Sequence, residues 1–295
     1  MAIMSLQAAC DQARQWLESN DIERAIGLSQ HILQHYPQNI EVYRILGEAH
    51  LANREFDMAQ AAFEEVLKAD PENIPAHVGL GITHERLNHI KQAIAEFEQA
   101  LEIKPDMLEL RNQLLRLYTE AWGSEYAQLR LSRAGLARLY ARGHMLPQAI
   151  TEFRQVIADQ PERYDARAAL AEALWRNDQE DEARRLCLDL LRDRPELLKA
   201  NLILGYLAMS AGDSSGTRYW EQAHQIDPYQ VVARAMFETM PPFQADEPLV
   251  EEWDEAAWFR RRDEQEQLAA TRPMETPTAN QSAIAEAVDD LPPPP

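Results

Sequence analysis

The chain has 295 residues, is 45% hydrophobic and carries a formal net charge of −20. That charge argues against nucleic acid, which is bound by neutralising phosphates with Lys and Arg, and against an anionic membrane surface. Leu, Ala, Glu, Gln and Arg dominate and β-branched runs are scarce, so the class is all-α; no stretch approaches 18 uninterrupted apolar residues, so no membrane insertion is expected.

In chain order, the first unit (about 6–39) carries Ala13, Trp16 and Ala25 and closes on Pro37. Its Ser29 stands where later units place an aromatic residue, as expected of an end unit with one face in water. The second unit has Tyr43, Leu46, Gly47, Ala59 and Phe63 before Pro71; the third has His77, Leu80, Gly81, His84, Ala93 and Phe97 before Pro105. Each of these prolines lies 34 residues after the last. The next interval, to Pro161, is one period plus 22 residues. Residues 108–122 predict an extra helix there, broken by Gly123 and Ser124, with another helix starting near Glu125. The period then resumes with Ala137, Tyr140, Ala149 and Phe153 before Pro161, and Ala171, Ala183 and Cys187 before Pro195. Leu204, Gly205, Trp220 and Ala223 precede Pro228. A 34-residue period predicts helix–turn–helix units stacked into a solenoid. Small residues lie where two helices approach, and each proline ends a helix by pushing its predecessor out of the α region.

These positions resemble the tetratricopeptide repeat pattern W-x2-L-G-x2-Y, A-x3-F, P, over roughly residues 6–230. The resemblance implies a right-handed superhelix, an α-solenoid of about six units. The expected organisation is a first array over 1–107, an irregular extra-helix insertion over 108–129, a second array with a capping helix over 130–240, and an acidic, Pro-rich tail over 241–295. It also implies a non-catalytic scaffold that binds a protein partner in its concave groove, with a structural subunit or a regulatory module of an enzyme system as alternatives. In the second array the family's inward-facing offsets fall on Arg138, Arg142, Trp175, Arg176, Lys199 and Tyr206, a basic and aromatic set suited to an acidic peptide with apolar anchors. The carboxylate clamp of some members needs Lys and Asn, then Asn, then Lys and Arg, where this chain has Cys10 and Arg14, then Glu48, then Val78 and Ile82, so a chaperone-tail role does not transfer.

A capping helix is expected over about Tyr229–Thr239. Residues 243–295 hold about 13 acidic residues and four arginines, and the end from Thr271 to Pro295 is expected to be disordered. Within the tail a helix over about 247–270 would put Leu249, Val250 and Trp253 on one face. With Trp258 and Phe259 they form a candidate docking motif, for a partner or for the chain's own groove.

His31 and His35, four apart, are expected to face solvent rather than a metal. His77 and His84 occupy aromatic positions and are expected to pack. There is no phosphate-cradling glycine loop and no hydrolase or metalloprotease motif, so no catalytic residue, cofactor or metal is expected. Cys10 and Cys187 are expected to be free thiols, which together with the lack of a secretory pattern in Met1–Leu6 suggests a cytoplasmic protein.

Overall fold

A computed structural model describes residues 3–124, 128–237 and 247–271. Helices pair in sequence as α1 (Leu6–Glu18) with α2 (Ile22–His35), α3 (Ile40–Ala52) with α4 (Phe56–Ala69), and α5 (Ile74–Arg86) with α6 (Ile90–Ile103). The extra helix α7 (Leu108–Trp122) follows. Three further pairs are α8 (Arg133–Arg142) with α9 (Leu146–Asp159), α10 (Tyr164–Arg176) with α11 (Glu180–Asp193), and α12 (Leu198–Ser210) with α13 (Gly216–Ile226). The short α14 (Val231–Met236) comes next.

Within each pair the turn is local chemistry repeated. The first helix ends with one residue in the left-handed region: Asn20, Arg54, Asn88, His144, Asp178 and Gly212. Beyond it an amide reaches back five residues, as in Asp21 N to Trp16 O at 2.8 Å and Gln179 N to Leu174 O at 2.9 Å. This closes the orphan carbonyls of the helix end. The second helix of each pair stops two residues before its proline.

Packing follows the period. Phe63, Phe97 and Phe153 are fully or almost fully buried. Phe63 lies between its own unit and the next, and a Cβ on Gly47 or Gly79 would come within 2.8 or 2.3 Å of its ring. Only glycine lets the helices close around it. His77 and His84 are both buried, and His77 Nδ1 lies 2.7 Å from Glu96 Oε2.

Helix α7 buries Leu110, Leu114 and Leu117 in one cluster with Phe97. The following helix starts at Arg133 rather than near Glu125: Ser132 accepts the Gly135 amide at 3.0 Å and fixes the start, while 128–132 are non-helical. Beyond α7 the two arrays fold against each other. Ile40, Phe63, Val66 and Leu80 of the first belong to the same apolar cluster as Leu198, Leu202, Trp220 and Phe237 of the second. Gln222 donates to Gln38 across the junction at 2.7 Å.

The tail departs from the single helix expected over 247–270. Leu249–Glu251 form a strand, β2, antiparallel to β1 (Ile3–Ser5) at the opposite end of the chain, with Met4 opposite Val250. Helix α15 begins at Glu255 and runs to Thr271. Pro248 ahead of Leu249 and the Asp254 side chain, which accepts the Ala257 amide at 2.9 Å, set that division. Leu249 is therefore 53% exposed while Val250 is buried, so the two do not share a face. The disorder expected for Thr271–Pro295 concerns 272–295, which lie outside the described residues, as do the last residues of the expected Tyr229–Thr239 helix.

Candidate interaction surfaces

The inward offsets of α8, α10 and α12 converge on the turn that joins α4 to α5. Arg138 is 5% exposed and Lys199 largely buried, so neither lines an open groove as the offsets alone suggest. Arg138 donates to Asp165 at 2.7 Å and to Glu72 at 3.4 Å, with Glu102 3.8 Å away. Lys199 pairs with Glu172 at 2.7 Å and with Glu72. Arg163 joins the same network through Glu102 at 2.6 Å and Asp165 at 2.8 Å. The acidic segment in this face is thus the chain's own: Glu72 and Glu102 from the first array. Burial alone would raise the Asp165 carboxyl, but Arg163 and Arg138 outweigh it and hold it well below the usual range. Burial likewise lowers Lys199, yet Glu172 and Glu72 keep it charged above the ordinary lysine value.

Arg142 and Arg176 remain exposed at the mouth. Arg142 donates to the Ile103 carbonyl, and Arg176 to Glu172 at 3.4 Å. Between them and Arg138, Glu172 and Phe153 lies a cavity of about 160 Å³. The aromatic pair is also occupied from within. The Phe237 ring, just past α14, stacks on Tyr206 with centroids 4.9 Å apart and planes at 11°. It meets Trp175 edge-on at 5.2 Å. Sequence reasoning missed Phe237 because it follows Pro228, the proline of the last repeat, and belongs to no repeat position.

The tail motif sits elsewhere, on the outer face of the first unit. Trp253 lies 5.7 Å from Trp16 and 6.0 Å from Trp258. Both indoles cover Gly27 of α2, where a Cβ would come within 2.5 Å of Trp253 and 2.9 Å of Trp258. Trp258 Nε1 donates to Gln30 at 3.2 Å, and Phe259 packs edge-on against Trp258 at 5.0 Å. His31 does not simply face solvent: its Nε2 donates to the Glu251 carbonyl at 2.8 Å. Tyr36 reaches the Leu249 carbonyl, also at 2.8 Å. Described residues of the tail thus cover the face that an end unit was expected to leave in water.

Among the described residues no helix is long and apolar enough to cross a membrane. Cys10 and Cys187 are buried and unpaired, and burial pushes each thiol up to about 12.

Among solved structures, the chain is similar to a tetratricopeptide repeat protein from Parabacteroides merdae at 12% identity, over 79% of this chain and 97% of that one, with a TM-score of 0.37. It is similar to a thermophilic TPR protein of Thermus thermophilus at 21% identity, over 57% and 80%, with a TM-score of 0.35. The TPR2AB domain of yeast Sti1, solved in complex with pHSP90, matches at 16% identity over 78% and 95%, with a TM-score of 0.36. No curated protein matches the chain. The tetratricopeptide repeat family model matches residues 17–80, 51–114 and 144–202. With those matches spanning more than half of the chain, and with six helix pairs built on the same turn and the same proline stop, this protein belongs to the tetratricopeptide repeat family.

Proposed function

We propose that this chain is a non-catalytic scaffold whose second array receives an acidic partner segment carrying an aromatic anchor. Tetratricopeptide repeats generally mediate protein–protein interactions, and members of the family are generally non-catalytic. The observation that carries the finer reading is the self-occupancy of this face: it holds carboxylates against Arg138 and Lys199 and a phenyl ring against Trp175 and Tyr206. A surface that selects acid and aromatic groups from its own chain has the chemistry to select them from another. Arg142 and Arg176 are the charges left at the mouth for an incoming carboxylate. In this reading Leu249, Val250, Trp253, Trp258 and Phe259 form a strap that covers the first unit, and two buried free thiols support a reducing, cytoplasmic setting.

The test is quantitative mass spectrometry of proteins that co-purify with the full chain and with an Arg142→Glu/Arg176→Glu variant. Both side chains are exposed, and circular dichroism checks that the variant keeps its helix content. Loss of a defined set of partners from the variant is expected; an unchanged set would sink the reading. A second reading, a structural subunit held through its outer surface, is favoured by the burial of Arg138 and Lys199. It predicts the unchanged set.

A further inference from the structure

We infer that residues 231–237 are a built-in competitor for the second array's concave face, displaced by a protein segment that carries an aromatic side chain beside a carboxylate. The inference rests on the reading of that face as a partner site and adds its regulation.

Phe237 is 5% exposed and enclosed by Tyr206, Trp175 and Trp220, the last at 5.7 Å. The element that carries it is weakly built. Helix α14 has six residues, too few for a helix to persist without tertiary support. Gln230 enters it in the left-handed region, at a φ of 55°, although it is not a glycine. Val231 is 66% exposed, and Ala233 is the only residue of the helix that is buried. At its base the Asp227 carboxylate accepts the Val232 amide at 2.9 Å while itself 6% exposed and near the Asp70 carboxylate. The segment is held by the Asp227 cap, by Ala233 with the part-buried Val232 and Met236, and by one enclosed aromatic ring, and backbone strain and buried like charge oppose that hold. Such segments open at lower free energy than the core around them.

The segment Val231–Phe237 also contains no carboxylate. It leaves Arg142 to a backbone carbonyl, Arg176 to Glu172 and the 160 Å³ cavity between them unfilled. A partner that supplies both ring and carboxylate makes contacts the internal segment lacks. It needs them, because an intramolecular competitor acts at roughly millimolar effective concentration.

The experiment uses the full chain and a fluorescein-labelled pentapeptide, Glu-Asp-Phe-Glu-Asp, beside the same peptide with Ala for Phe. Fluorescence anisotropy is expected to show the Phe peptide binding Phe237→Ala at least tenfold more tightly than wild type. That gain should vanish in Phe237→Ala/Trp175→Ala. Equal binding to wild type and Phe237→Ala, equal binding of the two peptides, or no binding to either chain overturns the inference. Should Phe237→Ala not fold, hydrogen exchange of the wild-type chain decides. Amides of 232–237 are expected to exchange at least tenfold faster than those of α12, and matched rates overturn it. A partner set that depends on Arg142 and Arg176 but is unchanged by Phe237→Ala would remove the competitor and leave the scaffold reading standing. The peptide results without any such partner set would do the reverse.

Discussion

The segments that follow the last repeat meet the array at two places, and the contacts are built differently. On the first unit the strap is held by directional bonds: β1–β2 pairing, the Leu6 amide on the Pro248 carbonyl at 2.9 Å, and Tyr36, His31 and Gln30 each on a named atom. Its indoles fit against a glycine that has no Cβ to oppose them. In the second array the Phe237 side chain is held by ring stacking and apolar packing, which are less directional than hydrogen bonds. Directional bonds and a shaped seat specify one occupant, whereas an aromatic pocket admits exchange. On the proposed reading the strap is structural and the ring replaceable.

Each contact lies within one array, so the largest effect is expected at the junction between the arrays. Among the described residues, Arg138→Ala leaves the buried Asp165 and the part-buried Glu102 to Arg163 alone, and the part-buried Glu72 to Lys199 alone. Leaving a buried charge without any partner costs about 3–5 kcal/mol, and with Arg163 and Lys199 still in place the loss is expected below that, at about 2–3 kcal/mol. Urea unfolding measures it, and a loss below about 1 kcal/mol would show that the network does not hold the arrays together.

Gly27→Ala separates the contacts. The new methyl would overlap both indoles, so the strap must shift, at a cost of about 1–3 kcal/mol. Hydrogen exchange should show β2 and the start of α15 losing protection while 231–237 keep theirs. Unchanged protection of 249–258 would mean that the seat is not shaped by Gly27.

The sequence carried the period and hid its cause. Prolines and small residues mark the repeat because each has one steric reason to be there. The left-handed turn position recurs every 34 residues within each array, but Asn, Arg, His, Asp and Gly all fill it, so its regularity escapes a search for glycine. Offsets placed Arg138, Lys199, Trp175 and Tyr206 on the inward face. They could not show that Glu72 and Phe237 fill it, because that depends on how sharply the array turns at α7. Leu249, Val250 and Trp253 fit a helical period, so local spacing predicts one helix over about 247–270 where the strap begins with a strand. Its strand exists only through pairing with residues 3–5, some 245 positions away, which local spacing does not encode.

A smaller effect sharpens the other side of the comparison. Burial pushes the Asp227 carboxyl up to about 6, against 3.8 for an unperturbed aspartate. Asp70, buried beside Glu72 and Lys199, is also raised. In so far as docking buries Asp227, the docked state binds more protons than the undocked one between those values and docking strengthens as pH falls, while His224, lowered by burial in the same cavity, works against it. From pH 7 to 5 Asp227 alone contributes about 1 kcal/mol of added stability. Exchange of the 232–237 amides, corrected for intrinsic rates, should slow accordingly, and 249–258 should not follow. A strap that slowed equally would place both contacts under one titration.

The smallest effect tests whether the charges around the strap matter at all. Arg24 pairs with Glu255 at 2.7 Å and with Asp21 at 2.8 Å, and Arg262 with Glu23 at 2.8 Å. These side chains are partly or largely exposed, where water and salt screen the attraction and ordering two side chains offsets much of it. Asp21 and Glu23 flank the start of α2, and carboxylates there already gain from the helix dipole without Arg24. Arg24→Ala is therefore expected to leave both the melting temperature and the protection of 249–258 unchanged at physiological salt, with a slight loosening of the strap at low salt only. A strap released by this single change would mean that charge, rather than the fit of Val250, Trp253 and Trp258, holds it down. The first unit's cover would then be as exchangeable as the ring in the second array.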